Sequence, residues 1–285
     1  GQLDFLGGIS KSSNVYFYKL GGGFEDDVPD GLGICRLGTY ARAMGYGDFP
    51  GIELPDEADG LIPDPRWKRI NQGENWAIGD TYIVSVGQGF MIATPLQILM
   101  SAATIANDGK LMRPTIVRQI TDASDIIIQS FEPDMKWDIT QDPVIDIYAD
   151  PTSTGGCDAK LTGEKKSVES WVIEKVQEGM RLAVTNGTLA VDSTGFSNLD
   201  IPAAGKTGTA EYCDEFAAAN NLCEPGRWPS HAWTVAYAPY ENPEVAVIAF
   251  AYNGGEGAPV AGPMVRKVLE AYFEIKSIDS ALVNP

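Results

Sequence analysis

The chain is short of basic residues, of cysteine and of histidine, and each shortage excludes something. Lysine and arginine number 21 against 39 aspartates and glutamates, a formal net charge of −18. That balance argues against nucleic acid and against anionic lipid as partners, because both would repel it. The acidic residues are dispersed, with small clusters such as Glu25-Asp26-Asp27, so they form a solvated surface rather than an acidic tail. Four cysteines are too few for a disulfide-built scaffold. Cys35 and Cys157 read as standing alone, while Cys213 and Cys223 bracket a loop of nine residues. A disulfide, free thiols, and a metal site with His231, the single histidine, all remain open for that pair. No stretch reads as a transmembrane helix: the apolar segment from Tyr82 to Ala106 is interrupted by Ser85, Gly87, Gln88, Gly89 and Pro95. No stretch of these residues reads as a signal peptide, an internal repeat or a low-complexity tract. Gly87-Gln88-Gly89 is not followed by Lys-Ser or Lys-Thr, which sets aside a phosphate loop.

What is present is an ordinary globular composition, 44% apolar over 285 residues. Residues 11 to 20 read as a helix start that Ser13 or Asn14 caps. A second helix runs from Leu37 to Met44 and stops at Gly45-Tyr46-Gly47-Asp48. Prolines and glycines punctuate residues 49 to 69, which read as an ordered surface loop, and Asn71 to Asp80 reads as more loop. Thr94-Pro95 opens a helix whose apolar positions recur every three or four residues to Ile105, and Asn107-Asp108-Gly109 ends it. Partial alternation predicts a hairpin over 115–130. Residues 132–168 carry little signal and read as an insertion or long connection. Val168 to Thr185 is expected to be a helix. Three strands follow, Ala203–Tyr212, Ala232–Ala238 and Val245–Tyr252, with a turn at Asn242-Pro243. A last helix spans Gly262 to Ile275, leaving 277–285 as a tail. The order points to an α+β domain over 1–276, an antiparallel sheet with helices on its faces.

Two triplets carry the chemistry. Ser12-Ser13-Asn14 precedes the aromatic run Tyr16-Phe17-Tyr18, and Lys206-Thr207-Gly208 sits in Ala204–Glu211, where a helix gives way to a strand. Singly, each has a bland reading: the serines as helix caps, Lys206 as a surface lysine on a strand. Together they resemble two of the three motifs of the penicillin-recognising serine enzymes, Ser-x-Asn and Lys-Thr-Gly. The third, Ser-x-x-Lys, is missing, because no serine here has a lysine three residues later. The chain opens on Gly1, and the family's motif order puts Ser-x-x-Lys upstream of Ser12, so the expectation is a chain cut within its catalytic domain.

The resemblance extends further. Gly47-Asp48-Phe49-Pro50-Gly51-Ile52-Glu53-Leu54-Pro55, Gly60-Leu61-Ile62-Pro63 and Trp67-Lys68 resemble a block of the class B penicillin-binding proteins. So do Gly79-Asp80-Thr81, Ser85 to Gly89, Thr94-Pro95-Leu96-Gln97, Ala106 to Gly109, Glu178 to Arg181 and His231 to Pro239. The elongation type fits better than the septal type.

This likeness implies a penicillin-binding, serine β-lactamase-like transpeptidase fold that lacks its N-terminal part, and a D,D-transpeptidase acting through a serine acyl-enzyme. It implies a stem peptide ending in D-Ala-D-Ala as substrate, β-lactams as inhibitors and a membrane glycosyltransferase as partner. It requires no cofactor and no metal, and it places the protein on the extracytoplasmic face of the plasma membrane. It assigns Ser12 to proton relay, Asn14 to a substrate amide and the upstream lysine, and Lys206 to the substrate carboxylate. Thr207, Gly208 and Thr209 would bind substrate, Thr209 through its hydroxyl and through a backbone N–H that forms half of an oxyanion hole. His231 is expected to be structural and Trp233 to lie in the core. A β-lactam-sensing domain without turnover and a β-lactamase are the alternatives on the same fold.

Overall fold

The computed structural model describes residues 2–149, 156–224 and 226–283, with only the backbone described for Ser197 and 280–283. In chain order the elements are α1 (Phe5–Ser10), α2 (Asn14–Gly22), α3 (Gly33–Ala43), α4 (Pro65–Gln72), α5 (Ile78–Val84) and α6 (Pro95–Ala106). Next come β1 (Lys110–Met112), β2 (Gln119–Thr121), β3 (Ile127–Ser130), β4 (Met135–Asp138), β5 (Ile145–Tyr148), β6 (Leu161–Lys166) and α7 (Ser170–Asn186). The chain closes with β7 (Ala204–Glu211), α8 (Glu215–Ala219), β8 (Ser230–Ala238), β9 (Val245–Ala251) and α9 (Gly257–Val283). Among the described residues no helix is long and apolar enough to cross a membrane.

The chain divides into two compact units. The first comprises residues 1–17 and 174–285, the second residues 18–173. The first unit is built on a three-stranded antiparallel sheet in the order β7-β8-β9. Alternate residues turn to one face: Ala236 and Ala238 of β8 and Val245, Val247 and Ala249 of β9 pack against Val265 and Leu269 of α9. Val184 at the end of α7, Leu189 and Phe196 complete this core. The small residues on the sheet let the helix lie close, and the large ones on the helix fill the space.

In the second unit, two of the motif blocks turn out to be scaffolding. Thr94 and Gln97 form a reciprocal capping box at the start of α6. Gln97 is fully buried, and its amide also donates to the carbonyls of Asp48 and Asp59, pinning the proline-rich loop to the helix. Asp80 in the first turn of α5 accepts from the Ala77 N–H and pairs with Lys68 of α4 at 2.8 Å. The Glu57 carboxylate collects the N–H groups of Gly51 and Ile52 in the same loop.

Several expectations are corrected. Two stretches expected as loop are helical: Pro65 starts α4 with Asp64 as its cap, and α5 begins at Ile78, where Asp80 stabilises its first turn, so that only 73–77 between them is loop. Residues 132–168 contain β4, β5 and β6, with Ile139 and Ile145 buried against Ala43 and Ile173. These strands are four to six residues long and rich in charge, so their periodicity was too short to register. The last helix starts at Gly257 and continues to Val283, through residues assigned to a tail. Cys35 and Cys157 do not stand alone but form a disulfide across 122 residues, inside a core with Ile34, Trp76, Val84 and Tyr148. Cys213 and Cys223 are bonded to each other, Cα atoms 5.7 Å apart, which removes the free-thiol and metal alternatives.

Candidate active site on the Lys-Thr-Gly strand

The site lies within the first unit. Asp4 caps α1, whose last turn leads directly into Ser12. Ser12 adopts φ 52°, a left-handed conformation that costs a non-glycine residue of order 1 kcal/mol or more. Its N–H is held by the Ile9 carbonyl and that of Ser13 by Gly8. Ser13, not Asn14, supplies the cap of α2, its hydroxyl accepting from the Tyr16 N–H at 3.3 Å. The Ser12 hydroxyl is thereby left outside both helices.

Facing it is β7, the first strand of the β7-β8-β9 sheet, paired antiparallel with β8. Lys206, half-buried, donates from Nζ to Ser12 Oγ at 2.6 Å and to the Thr207 carbonyl at 2.8 Å. Among the described residues no carboxylate pairs with this ammonium. Burial alone lowers its pKa from 10.5 to about 8. At neutral pH the group is an ammonium, and an incoming carboxylate would pair it.

The two motifs are bridged by residues that sequence reasoning did not single out. The Thr207 hydroxyl bonds that of Thr188 at 2.9 Å, and the Thr188 N–H donates to the Ser10 carbonyl at 3.0 Å. Lys11 Nζ donates to the Asn186 carbonyl at the end of α7. Gly187 allows this approach, because a Cβ there would lie 2.2 Å from the Ser10 carbonyl oxygen. The signal in the sequence was Asn186-Gly187-Thr188, legible as a helix stop but not as a brace.

The other expected residues fall into place differently. Asn14 is exposed at the first residue of α2 and makes no hydrogen bond to Lys206. The Thr209 hydroxyl accepts from the Gly257 N–H at 3.2 Å, tying the strand to the start of α9. Gly208 lies opposite Trp233, and a Cβ there would sit 3.2 Å from the tryptophan's own Cβ. Trp233, expected in the core, is half-buried instead: it alternates with Ala232 and Thr234 and so takes the face away from α9, against Phe250. His231 is structural, its Nδ1 accepting from the Asn253 N–H while the ring stacks on Tyr212 at 3.7 Å. Burial lowers its pKa, with Asp214 partly opposing.

Comparison with known proteins bears on the family and the fold. The chain is 30% identical over 275 residues to a peptidoglycan D,D-transpeptidase MrdA of Haemophilus influenzae, covering 96% of this chain and 37% of that protein. It is similar to the crystal structure of Pseudomonas aeruginosa PBP2 in complex with WCK 5153, with a TM-score of 0.68 and 27% identity over 95% of this chain and 49% of that one. It also resembles a chain of a peptidoglycan synthase complex described as coordinating polymerization and crosslinking, with a TM-score of 0.69 and 29% identity over 96% and 38%. The chain therefore spans well under half the length of the curated relative. The family description "Penicillin binding protein transpeptidase domain" matches residues 1–270, so the chain belongs to the penicillin-binding protein transpeptidase family.

Proposed function

We propose that these residues form the Lys-Thr-Gly side of a peptidoglycan D,D-transpeptidase. The observation that carries the reading is the 2.6 Å hydrogen bond from Lys206 Nζ to Ser12 Oγ, which joins two motifs 194 residues apart. Such a contact lets a proton pass between the hydroxyl and a reacting amine.

In the reaction, a serine that these residues do not include attacks the penultimate D-alanine carbonyl of a stem peptide, giving an acyl-enzyme and releasing D-alanine. Ser12 relays the proton to the leaving amine. An amine of a second stem peptide then resolves the ester and forms the cross-link. The Lys206 ammonium holds the terminal carboxylate of the donor. The donor lies along β7 as an added strand, with Thr207, Gly208 and Thr209 beside it and the Thr209 N–H directed at the oxyanion. Asn14, exposed beside Ser12, holds a substrate amide through its donor and acceptor. The chemistry runs on protein groups alone. β-Lactams enter as acylating mimics of D-Ala-D-Ala. The natural setting is the extracytoplasmic face of the bacterial plasma membrane, beside a membrane glycosyltransferase, and the two disulfides support an oxidising compartment.

Acylation tests this. A protein joining these residues to a Ser-x-x-Lys segment should be labelled by a fluorescent penicillin at the serine of that segment, and Ser12→Ala or Lys206→Ala should suppress labelling. The 285 residues by themselves should stay unlabelled; stoichiometric labelling of any serine among them would overturn the reading.

A further inference from the structure

The connection from β7 to β8 holds a feature that the transpeptidase reaction does not use. Eighteen residues, 212 to 229, separate the two strands, and the Cys213–Cys223 disulfide short-circuits them. The path from Glu211 to Ser230 through the sulfurs crosses only 212, 213 and 223–229, nine residues. Inside the closed ring, Asp214 caps α8 by accepting from the Ala217 N–H at 2.7 Å. Its other oxygen accepts from the Tyr252 hydroxyl at 2.8 Å, just beyond the end of β9. The Tyr252 ring lies 4.9 Å from His231 and 5.2 Å from Tyr212, and Tyr212 stacks on His231. The Tyr212 N–H donates to the Pro229 carbonyl. The disulfide, one carboxylate and three rings thus bind together the far ends of β7, β8 and β9.

This bond is also open to reagents. Cys213 is exposed and Cys223 half-buried, whereas Cys35 and Cys157 are 1% and 8% exposed. Thiol–disulfide exchange requires access to a sulfur, so a dithiol reaches the loop bond first.

We propose that the Cys213–Cys223 disulfide is a redox-sensitive clamp that positions the C-terminal half of the Lys-Thr-Gly strand, acting through Asp214 and Tyr252. A dithiol reductant supplies two electrons and two protons to the Sγ–Sγ bond and becomes a disulfide itself, leaving two thiols here. The free loop then doubles from nine residues to eighteen, which lowers the probability that its ends meet by about threefold on loop-closure scaling. Asp214 loses the ring that aims it at Tyr252. Lys206, at the buried end of the strand, keeps its place. The inference rests on the reading of β7 as the substrate strand only for its functional consequence, because the clamp itself is a property of the loop.

Amide hydrogen exchange on the chain tests it, with Cys35→Ser/Cys157→Ser serving as a background in which only the loop bond can be reduced. Reduction should speed exchange of the protected amides in 209–212 and 230–232 by about threefold or more, and leave 204–206 and 234–238 unchanged. Reoxidation should restore protection. If the background variant fails to fold, Cys213→Ser/Cys223→Ser in the natural chain should show the same local pattern. Asp214→Ala should loosen the same amides with the disulfide intact, while Asp214→Asn, which keeps the Ala217 N–H on its one oxygen and can only donate from its amide nitrogen to the Tyr252 oxygen, should loosen them less. Uniform acceleration over the whole sheet, or none on reduction, would overturn the clamp. Neither result depends on acylation, so the clamp and the transpeptidase reading fail separately.

Discussion

The two ends of β7 are held by different physics. At Ala204 and Gly205 the strand runs through the core: Ala203 and Ala204 are fully buried, and Arg181 of α7 donates to the Ala203 carbonyl at 2.6 Å. At Glu211 the strand has left the core, and stacked rings, Asp214 and a disulfide take over. Lys206 stands between, on the buried side. Only there does loss of water depress its pKa, and only there does packing hold Nζ within hydrogen-bond reach of Ser12. The exposed end has no core beneath it, so covalent closure replaces hydrophobic burial.

The largest effect should come from the lysine. In a protein that also carries a Ser-x-x-Lys segment, Lys206→Ala should slow acylation by fluorescent penicillin about 10²- to 10³-fold, the range for deleting one preorganised electrostatic donor. Thermal stability at neutral pH should not fall, since removing the side chain also removes the cost of burying its charge. An equal loss from Tyr252→Phe would erase the distinction between the two ends.

Gly205→Ala and Gly208→Ala measure the same contrast in packing. A Cβ at Gly205 would meet the Val235 carbonyl at 2.8 Å and Leu189 at 2.9 Å. Overpacking of this kind costs about 1–3 kcal/mol, readable by urea unfolding. At Gly208 the nearest atom is the Trp233 Cβ at 3.2 Å, on a half-exposed side chain, and the cost should be smaller. Reversal of that order would show that the buried end is the looser one.

The lysine also sets a pH dependence. Its folded pKa of about 8 lies below the ordinary 10.5, so between those values the unfolded chain binds more protons. Stability relative to Lys206→Met should therefore rise with pH from about 8 to 10.5, the penalty for burying the charge being fully present below that window. Carboxylate binding should move oppositely, weakening as pH passes 8. The ¹³Cε shift of Lys206 should titrate near 8, and an ordinary value above 10 would contradict the burial argument.

Smallest of all, Tyr252→Phe removes one solvent-exposed hydrogen bond, so amide exchange should quicken only at the exposed end, over 209–212 and 230–232, with the unfolding midpoint hardly moved. Asp214 is held below the usual carboxylate range, first by the Ala217 N–H and then by Tyr252, so its pKa should rise in this variant.

Much of this was legible in the chain. Thr94-Pro95-Leu96-Gln97 announced a capped helix because capping is local chemistry, complete within four residues. The alternation in β8 and β9 and the turn at Asn242-Pro243 gave the hairpin, because one face of each strand must meet a core. Lys-Thr-Gly and Ser-Ser-Asn were readable as a pair, since a positive charge and a hydroxyl in those patterns serve one kind of chemistry. What stayed hidden was whatever depends on two distant segments meeting. The Cys35–Cys157 bond spans 122 residues, with neither partner marked by its neighbours. The charged strands of 132–168 show their purpose only when paired. Nothing around Thr188 marked it as a brace in the sequence, and its role shows only with Thr207 beside it.

By itself the sequence determined which groups can react and where the local elements start and stop, because side-chain chemistry, caps and turns act over a few residues. Tertiary structure alone decided that Lys206 stands 2.6 Å from Ser12, that its proton is bound less tightly than in water, and that an exposed disulfide closes the far end of its strand. Distance and desolvation arise only when segments far apart in the chain are packed together.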